Sequence, residues 1–226
     1  MPRFANPLIA AADVSRADEA ERLAAALAGR VAMIKVGLEL FTAEGPDAVS
    51  RVRAHTPVFL DLKLHDIPTT VERAARNVGA LGASLLTVHA LGGPDMVAAA
   101  VAGADAGADR AGLDPPVVVA VTVLSSLAGE GLALPSSLAF EAVEAGAGGV
   151  VVSGEDVRQV RDVLGDEPIL VVPGIRPGAH PTNDHARVLT PAEALDAGAD
   201  YVVVGRPITQ AADPAAAADA ILGEVS

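Results

Sequence analysis

Short apolar runs rich in Val, Ile and Leu recur along the chain, and longer Ala-rich stretches with an amphipathic pattern separate them. The runs predict buried β-strands, and the stretches between them predict helices with one apolar stripe. Eight strands are predicted, at residues 8–13, 33–38, 58–64, 85–90, 116–124, 149–153, 169–172 and 201–204. Because strands and helices alternate, the pattern favours a parallel sheet that helices cover.

The number of strand–helix units and the chain length together indicate the fold. Eight units within 226 residues fit a closed (β/α)₈ TIM barrel, which typically takes roughly 250 residues. A doubly wound open sheet is the alternative. The longest predicted loops span residues 102–114, 125–134 and 176–189, and no linker or low-complexity tract divides the chain. We therefore expect a single α/β domain over residues 1–226.

Composition and charge argue against several classes of function. The net charge of −13 disfavours binding of nucleic acid, which requires clustered positive charge. The chain has no cysteine, so disulfides, thiolate catalysis and cysteine-based metal sites are excluded. No apolar run approaches the ~20 residues of a membrane span, and no signal peptide is evident. We expect a soluble cytoplasmic protein that contacts neither nucleic acid nor membrane.

The third predicted strand carries charge inside an apolar run, V-F-L-D-L-K-L, which continues as H-D-I-P-T-T. Side chains alternate between the faces of a strand, so Asp61 and Lys63 are expected on the same face. Burying charge is costly unless the charges pair, which favours a site over a core. Of the 16 basic residues only Lys35 and Lys63 are lysines. Because an ammonium can give up its proton near neutral pH when its surroundings shift its pKa, and a guanidinium cannot, the pattern indicates proton chemistry.

Other polar residues end the predicted strands, where the active sites of such barrels lie. Asp13 ends the first strand, Lys35 lies on the second and His89 lies on the fourth. G-I-R and G-R follow the seventh and eighth strands, so Arg176 and Arg206 are expected to bind a phosphate. A metal held by histidines and aspartates of these strands stays an alternative, although the two lysines bring positive charge to the same place.

The stretch D-L-K-L-H-D-I-P-T-T resembles the D-x-K-x-x-D-I-P-x-T signature of the orotidine 5′-phosphate decarboxylases in their bacterial form. The motifs L-I-A-A-A-D, I-K-V-G, V-T-V-L-S-S, V-P-G-I-R-P and V-V-V-G-R-P-I-T extend the resemblance over nearly the whole chain. It implies conversion of orotidine 5′-monophosphate (OMP) to UMP and CO₂, the last step of de novo pyrimidine synthesis, without cofactor or metal. It also implies a homodimer whose active sites are shared between the subunits.

The resemblance implies roles for the charged residues of the signature. Lys63 is similar to the residue that protonates C6 of the pyrimidine as CO₂ leaves, and Asp61 is similar to the one beside the substrate carboxylate. Asp66 is expected to reach in from the partner subunit. Together with Lys35, these residues are expected to form one alternating network of charges.

Further substrate contacts follow from the same resemblance. Asp13 and Lys35 are similar to the residues that bind the ribose hydroxyls, and Thr70 is expected to contact the ribose across the subunit interface. Ser125 is similar to the residue that reads the pyrimidine edge. Pro173 is expected to lie beside the base.

The phosphate is expected to be bound by residues that follow the last two strands. The phosphate-binding residues of the family match Arg176, Gly205 and Arg206. The loop after G-I-R-P reads N-D-H-A-R, which places His185 where the family commonly has a glutamine. An imidazole can donate a hydrogen bond to phosphate. Because the histidine side chain is shorter than that of glutamine, the contact by which this loop closes on the phosphate is expected to differ from that of the family.

Related phosphate-sugar barrels are the nearest alternatives. The 3-keto-gulonate-phosphate decarboxylases and hexulose-phosphate synthases share a D-x-K-x-x-D core, but they generally use Mg²⁺ and lack the continuation present here at Ile67, Pro68 and Thr70. An epimerase of the ribulose-phosphate type is less favoured, because its metal-binding histidine pattern is not evident. A non-catalytic phosphate-binding protein on the same fold is a further alternative, against which the two retained lysines argue.

Overall fold

Eight parallel strands close into a barrel in the computed structural model, which describes residues 6–123, 134–178 and 189–225. The strands are β1 (Leu8–Ala12), β2 (Met33–Gly37), β3 (Val58–Leu64), β4 (Leu85–His89), β5 (Val117–Val121), β6 (Gly149–Val151), β7 (Ile169–Val172) and β8 (Tyr201–Val204). Each strand pairs with the next along the chain, and β8 pairs with β1. The predicted (β/α)₈ barrel is confirmed, and the alternative of an open sheet is wrong.

Helices follow the strands and cover the outside of the barrel. In the described ranges they are α1 (Ala17–Ala26), α2 (Leu38–Glu44), α3 (Pro46–Arg53), α4 (Pro68–Gly79), α5 (Pro94–Ala111), α6 (Pro135–Glu144), α7 (Val157–Leu164), α8 (Pro191–Asp196), α9 (Arg206–Thr209) and α10 (Pro214–Gly223), with a 3₁₀ turn at Ala90–Gly92. Among the residues that the structure describes, no helix has the length and apolar character needed to cross a membrane.

Two apolar layers hold the barrel together. Odd-numbered strand residues such as Ile9, Phe59 and Tyr201 form a buried cluster drawn from the strands rather than the helices, and this cluster fills the barrel interior. Even-numbered strand residues such as Leu60 and Val202 pack with the helices in a second cluster. Because both faces of each strand are covered, the strands are apolar over most of their length instead of alternating regularly with polar residues.

Helix α5 is longer than the sequence predicted. The loop predicted over residues 102–114 is wrong, because the helix continues through most of that range. Gly103 and Gly107 lie in this part of the helix, and both face α4. A Cβ at Gly103 would collide with the backbone of Glu72, and a Cβ at Gly107 with that of Arg76. Glycine weakens a helix locally, and the close contact of the two helices offsets that cost.

Candidate active site

The C-terminal ends of β1, β2, β7 and β8 surround a cavity of about 240 Å³. Six residues that the sequence predicted for the site line it, namely Asp13, Lys35, Pro173, Arg176, Gly205 and Arg206. They are far apart in the sequence, and closure of the barrel brings them together because β8 pairs with β1. The structure therefore gathers these six residues around one opening.

A second cavity, of about 360 Å³, lies at the opposite end of the barrel. The first residues of β4, β5, β7 and β8 line it, and its charged side chains are Arg53 and Asp114. Although it is larger, its lining includes neither a histidine, which titrates near neutral pH, nor a lysine, which can do so where its surroundings shift its pKa. The active sites of such barrels also lie at the C-terminal ends of the strands. The smaller cavity is therefore the candidate site.

Four charged side chains form a continuous series of ion pairs beside this cavity, called the charge chain below. In order, they are Asp13, Lys35, Asp61 and Lys63. The Nζ of Lys35 lies 3.2 Å from Asp13 Oδ1 and 3.8 Å from Asp61 Oδ2. The Nζ of Lys63 lies 2.8 Å from both carboxylate oxygens of Asp61. Because acid and base alternate, each charge has a neighbour of opposite sign that compensates for its partial burial. The only two lysines of the chain thus share one carboxylate, that of Asp61.

Strand β3 reaches this arrangement through a bulge. From Leu60 to Leu64, β3 advances four residues while its partner β4 advances two. Lys63 lies within this segment and has a φ of 51°, a left-handed conformation that is unfavourable for a residue with a Cβ. The predicted proximity of Asp61 and Lys63 is present. The reason is not simple alternation along a regular strand, because the bulge sets the geometry.

Thr87 of β4 is hydrogen-bonded to both members of this ion pair. Its hydroxyl donates to Asp61 Oδ1 at 2.9 Å and accepts the backbone N–H of Lys63 at 2.8 Å. Thr87 is fully buried, with 0% of its surface exposed. Sequence reasoning missed this residue. The signal that could have identified it is a polar side chain at an inward-facing position of the apolar run L-L-T-V-H.

Arg176 and Arg206 flank the cavity with exposed side chains. Neither guanidinium makes an ion pair with a carboxylate in the part of the chain that the structure describes. Gly205, next to Arg206, lies close to β1, since a Cβ there would be 3.2 Å from Asp13 Oδ2. Two arginines whose planar groups have no internal carboxylate can bind a phosphate.

Two predicted site residues, Asp66 and Thr70, are not part of this assembly, and two others cannot be placed in it or outside it because the structure does not describe them. Asp66 and Thr70 are exposed at the start of α4, and Asp66 Oδ1 accepts the N–H of Ile67 at 2.6 Å. The Asp66 carboxylate makes no ion pair with the described residues, so the predicted network that includes it is incomplete within one chain. Ser125 and His185 lie outside the described residues. The roles predicted for these four residues stay predictions.

His89 ends β4 beside the charge chain. Its ring centroid lies 5.3 Å from that of His65, and its Nδ1 is buried without a hydrogen-bond partner among the described residues. Burial, with a smaller contribution from nearby His65 and Lys63, lowers the pKa of His89 below its ordinary value of 6.5. The ring is therefore neutral near pH 7. In the described ranges, no three His, Asp or Glu side chains are grouped so that they could hold a metal ion.

Sequence comparison relates the chain to known proteins over almost its whole length. The profile of the orotidine 5′-phosphate decarboxylase / HUMPS family matches residues 6–221. The orotidine 5′-phosphate decarboxylase of Anaeromyxobacter sp. (strain K) is 54% identical over 225 residues, which cover 95% of this chain and 96% of the relative. That of Paramagnetospirillum magneticum is 47% identical, with 97% and 98% covered.

Solved structures are similar over the same extent. The crystal structure of orotidine 5′-phosphate decarboxylase from Lactobacillus acidophilus has a TM-score of 0.84 and 37% identity, covering 98% of this chain and 99% of that one. The enzyme from Pyrococcus horikoshii OT3 has a TM-score of 0.79 and 30% identity, with 96% and 98% covered. The profile match includes every strand end that forms the cavity and the charge chain. The chain therefore belongs to the orotidine 5′-phosphate decarboxylase / HUMPS family.

Proposed function

We propose that this chain decarboxylates OMP to UMP and CO₂, the last step of de novo pyrimidine nucleotide biosynthesis, and that it does so in the cytoplasm. The observation that carries the proposal is the contact of Lys63 Nζ with both oxygens of Asp61, inside the D-x-K-x-x-D-I-P-x-T signature. The I-P-x-T continuation favours this reaction over that of a hexulose-phosphate synthase. The relatives named above, which are orotidine 5′-phosphate decarboxylases, support the same choice.

Lys63 supplies the proton in the proposed reaction. The bond between C6 and the carboxylate carbon breaks, CO₂ leaves, and the electron pair stays on C6 as a vinyl carbanion. A proton then passes from Lys63 Nζ to C6 and gives UMP, after which the amine regains a proton from solvent. An ammonium stabilises the developing negative charge and can also give up its proton, whereas a guanidinium can do only the former.

Asp61 and its neighbours hold the ammonium and the ribose in the proposed complex. Both oxygens of Asp61 contact Lys63 at 2.8 Å, which restrains the ammonium where C6 would lie. Lys35 and Asp13 line the cavity in mutual contact at 3.2 Å. Together they offer a donor and an acceptor, the combination that a pair of ribose hydroxyls requires.

The phosphate is bound away from C6 in this proposal. Arg176 and Arg206 lie at the wall of the cavity formed by β7 and β8 and have no carboxylate partner among the described residues. Pro173, on the same wall, is the residue proposed to lie beside the base. Ser125 and His185 are proposed to contact the pyrimidine edge and the phosphate. Binding energy from a phosphate remote from C6 can be used at the transition state.

We also propose that the protein is a homodimer in which Asp66 and Thr70 serve the active site of the partner subunit. Two observations support this proposal. Asp66 and Thr70 are exposed and lie outside the charge chain of their own subunit. Ile67, between them, is 66% exposed, and its burial against a second subunit would remove this apolar surface from water.

Turnover of OMP without metal is the test of the proposed reaction. Purified protein treated with EDTA is expected to convert OMP to UMP, because no proposed step requires a metal. The change in ultraviolet absorbance that accompanies UMP formation measures the rate. Turnover that appears only after addition of Mg²⁺, or no turnover of OMP at all, contradicts the proposal. Activity on a hexulose phosphate with Mg²⁺ would support the alternative.

Subunit mixing tests the shared site. Lys63→Ala and Asp66→Ala are each expected to lower kcat more than tenfold, a barrier increase above ~1.4 kcal/mol. When the two variants are mixed and allowed to exchange subunits, activity is expected to return to about a quarter of the wild-type value. Random pairing makes half of the dimers mixed, and each mixed dimer has one intact site and one doubly altered site.

A mixture of Lys63→Ala with Asp61→Ala is the matched control. Both residues are proposed to serve their own subunit, so each site of the mixed dimer keeps one defect and no activity should return. Recovery in this control, or its absence in the mixture with Asp66→Ala, would show that the residues are not divided between subunits as proposed. Sedimentation of each mixture confirms that the subunits associate.

A further inference from the structure

We infer that Thr87 is a positioning residue for the reaction, because its hydroxyl fixes the bulge of β3 that presents Asp61 and Lys63. The inference rests on the proposed function for its catalytic meaning. Its geometric basis is independent and lies in contacts within the chain. Thr87 is on β4, which contributes no lining residue to the candidate cavity, so its influence on the substrate is exerted through its two hydrogen-bond partners.

The hydroxyl of Thr87 replaces a backbone acceptor where the strand ladder is interrupted. From Leu60 to Leu64, β3 contains two residues more than β4, so its backbone groups cannot all find their regular partners. The N–H of Lys63 donates instead to Thr87 Oγ1 at 2.8 Å. A buried backbone N–H needs an acceptor, and this side-chain oxygen supplies it. The backbone of Lys63 is thereby held against β4.

The same hydroxyl also orients the carboxylate. It donates its own proton to Asp61 Oδ1 at 2.9 Å, while both oxygens of Asp61 accept from Lys63 Nζ. A hydroxyl can be donor and acceptor at once. The contacts therefore form a closed ring, from the Lys63 backbone to Thr87, from Thr87 to Asp61, and from Asp61 to the Lys63 ammonium. One buried side chain thus restrains the backbone of Lys63 directly and its ammonium through Asp61.

Two further features indicate that the surrounding structure holds this ring of hydrogen bonds in place. Thr87 has 0% of its surface exposed, and a hydroxyl buried without partners would be costly. Lys63 is the single described non-glycine residue with positive φ, at 51°. Such a backbone conformation persists only where the surrounding structure over-determines it. The hydrogen bond from Lys63 N–H to Thr87 is a direct restraint on that conformation.

Loss of the hydroxyl is expected to affect the chemical step more than substrate binding. Without Thr87 Oγ1, the Lys63 N–H loses its acceptor and Asp61 loses a donor, so the ammonium is free to shift from its position. The proposed ribose and phosphate contacts come from the ends of β1, β2, β7 and β8, away from Thr87. A misplacement of about 1 Å in a catalytic group can cost ~10²-fold in rate.

Two substitutions at position 87 separate the hydroxyl from the shape of the side chain. Thr87→Val keeps the shape and removes the hydroxyl, and we expect its kcat for OMP to fall about tenfold to a hundredfold. Its KM should change by less than about threefold, because ground-state contacts are retained. Thr87→Ser keeps the hydroxyl and should restore kcat to within about threefold of the wild type.

A crystal structure of Thr87→Val provides a readout that does not depend on activity. We expect Lys63 to leave the left-handed region, or its Nζ to lie beyond about 3.5 Å from the Asp61 oxygens, past hydrogen-bonding distance. A wild-type crystal structure, solved under the same conditions, is the reference. An unchanged Lys63 backbone and an unchanged ion pair in the variant would overturn the inference.

Thr56→Val is the matched control for the loss of a buried hydroxyl. Thr56 is 2% exposed, and its hydroxyl donates to the carbonyl of Ala24 at 3.0 Å, before β3 begins and at the opposite end of the barrel. Its substitution should lower the melting temperature, as Thr87→Val should, and leave kcat at the wild-type value. The control therefore separates lost stability from lost positioning.

Equal kcat values for the two valine variants would overturn the inference, and so would a Thr87→Ser enzyme as slow as Thr87→Val. Failure of the proposed function gives a different result, since wild-type protein would then not convert OMP. In that case the comparison of Lys63 in the two crystal structures still decides whether Thr87 sets its geometry.

Discussion

Two partly buried ion pairs lie at opposite ends of the barrel. At the C-terminal end, the side chains of Lys35 and Asp61 are 15% and 13% exposed. At the N-terminal end, those of Arg161 and Asp200 are 14% and 18% exposed. Burial therefore does not distinguish the two pairs. What distinguishes them is how completely the protein itself uses their hydrogen-bonding capacity.

The guanidinium of Arg161 is used fully within the chain. It donates to the carbonyls of Gly198, Gly165 and Pro168 and to Asp200 Oδ2, and Asp200 also accepts the N–H of Leu170 at 2.8 Å. These contacts tie α7 to the starts of β7 and β8. A cation whose donors all bind backbone carbonyls and a carboxylate of its own chain has no capacity left for a ligand, which indicates a structural role.

The lysines at the other end of the barrel contact carboxylates only. Lys35 reaches Asp13 and Asp61, and Lys63 reaches Asp61, while no backbone carbonyl of the described residues accepts from either ammonium. Each ammonium has three donors. A partly buried cation therefore belongs to a site when the protein leaves some of its hydrogen-bond donors, and part of its positive charge, available to a ligand.

Substitution of Arg161 should give the largest effect that tests this comparison. Arg161→Met removes the guanidinium and leaves the Asp200 carboxylate and several carbonyls without their partner. Breaking a buried pair in this way costs about 3–5 kcal/mol. At ~2–4 °C per kcal/mol for a chain of this size, the melting temperature should fall by roughly 6–20 °C. Calorimetry measures that fall, and kcat at 25 °C per folded molecule should stay at the wild-type value.

Lys35→Met is the matched variant at the other end. It removes a cation of similar exposure, but Asp61 keeps Lys63 as a partner and Asp13 is half exposed. We therefore expect a small change in melting temperature and a loss of kcat/KM for OMP above tenfold, or ~1.4 kcal/mol. Two outcomes would contradict this comparison: a Lys35→Met protein as unstable as Arg161→Met, or a loss of kcat in Arg161→Met. Either would show that unused hydrogen-bonding capacity does not distinguish a cation of the active site from a structural one.

Much of the fold follows from local pattern. The bounds predicted for the strands at residues 58–64, 169–172 and 201–204 agree with those observed. These runs are apolar and β-branched because both faces of each strand are covered, and this requirement is visible in the sequence. The short helices α2 and α9 were not predicted, since seven or four residues hold too few repeats to define a periodicity.

The grouping of charged residues at the strand ends was predictable from the sequence, whereas the geometry of that group was not. Barrel topology brings together whatever residues end the strands, so Asp13, Lys35 and Asp61 could be grouped without knowledge of any distance. The bulge of β3 could not be read from the sequence. It depends on the contact of the Lys63 backbone with Thr87, 24 residues away in the chain. Alternation along a strand gave the right pair of residues for an incomplete reason.

His89 extends the comparison to a neutral group and gives the smallest expected effect. At the N-terminal end the polar atoms of Arg161 are paired, whereas the Nδ1 of His89, beside the charge chain, is buried without a partner among the described residues. Burial first, then nearby His65 and Lys63, lower the pKa of His89 from 6.5, and Asp61 opposes this shift. The folded chain therefore takes up a proton at His89 less readily than the unfolded chain.

The sign of the pH dependence follows from that difference. Well above pH 6.5 the ring is neutral in both states, and the free energy of unfolding is unaffected by it. As the pH falls below 6.5, the unfolded chain binds a proton that the folded chain does not, so stability is lost until the folded pKa is reached.

His89→Gln should remove this loss of stability. The melting temperature of the wild type relative to that of the variant should therefore decrease between about pH 7.5 and pH 5. His65→Gln should weaken the decrease only in part, since burial is the main cause. A difference that stays constant over this range would show that His89 is protonated equally in both states, and that the C-terminal end of the barrel accommodates the added charge.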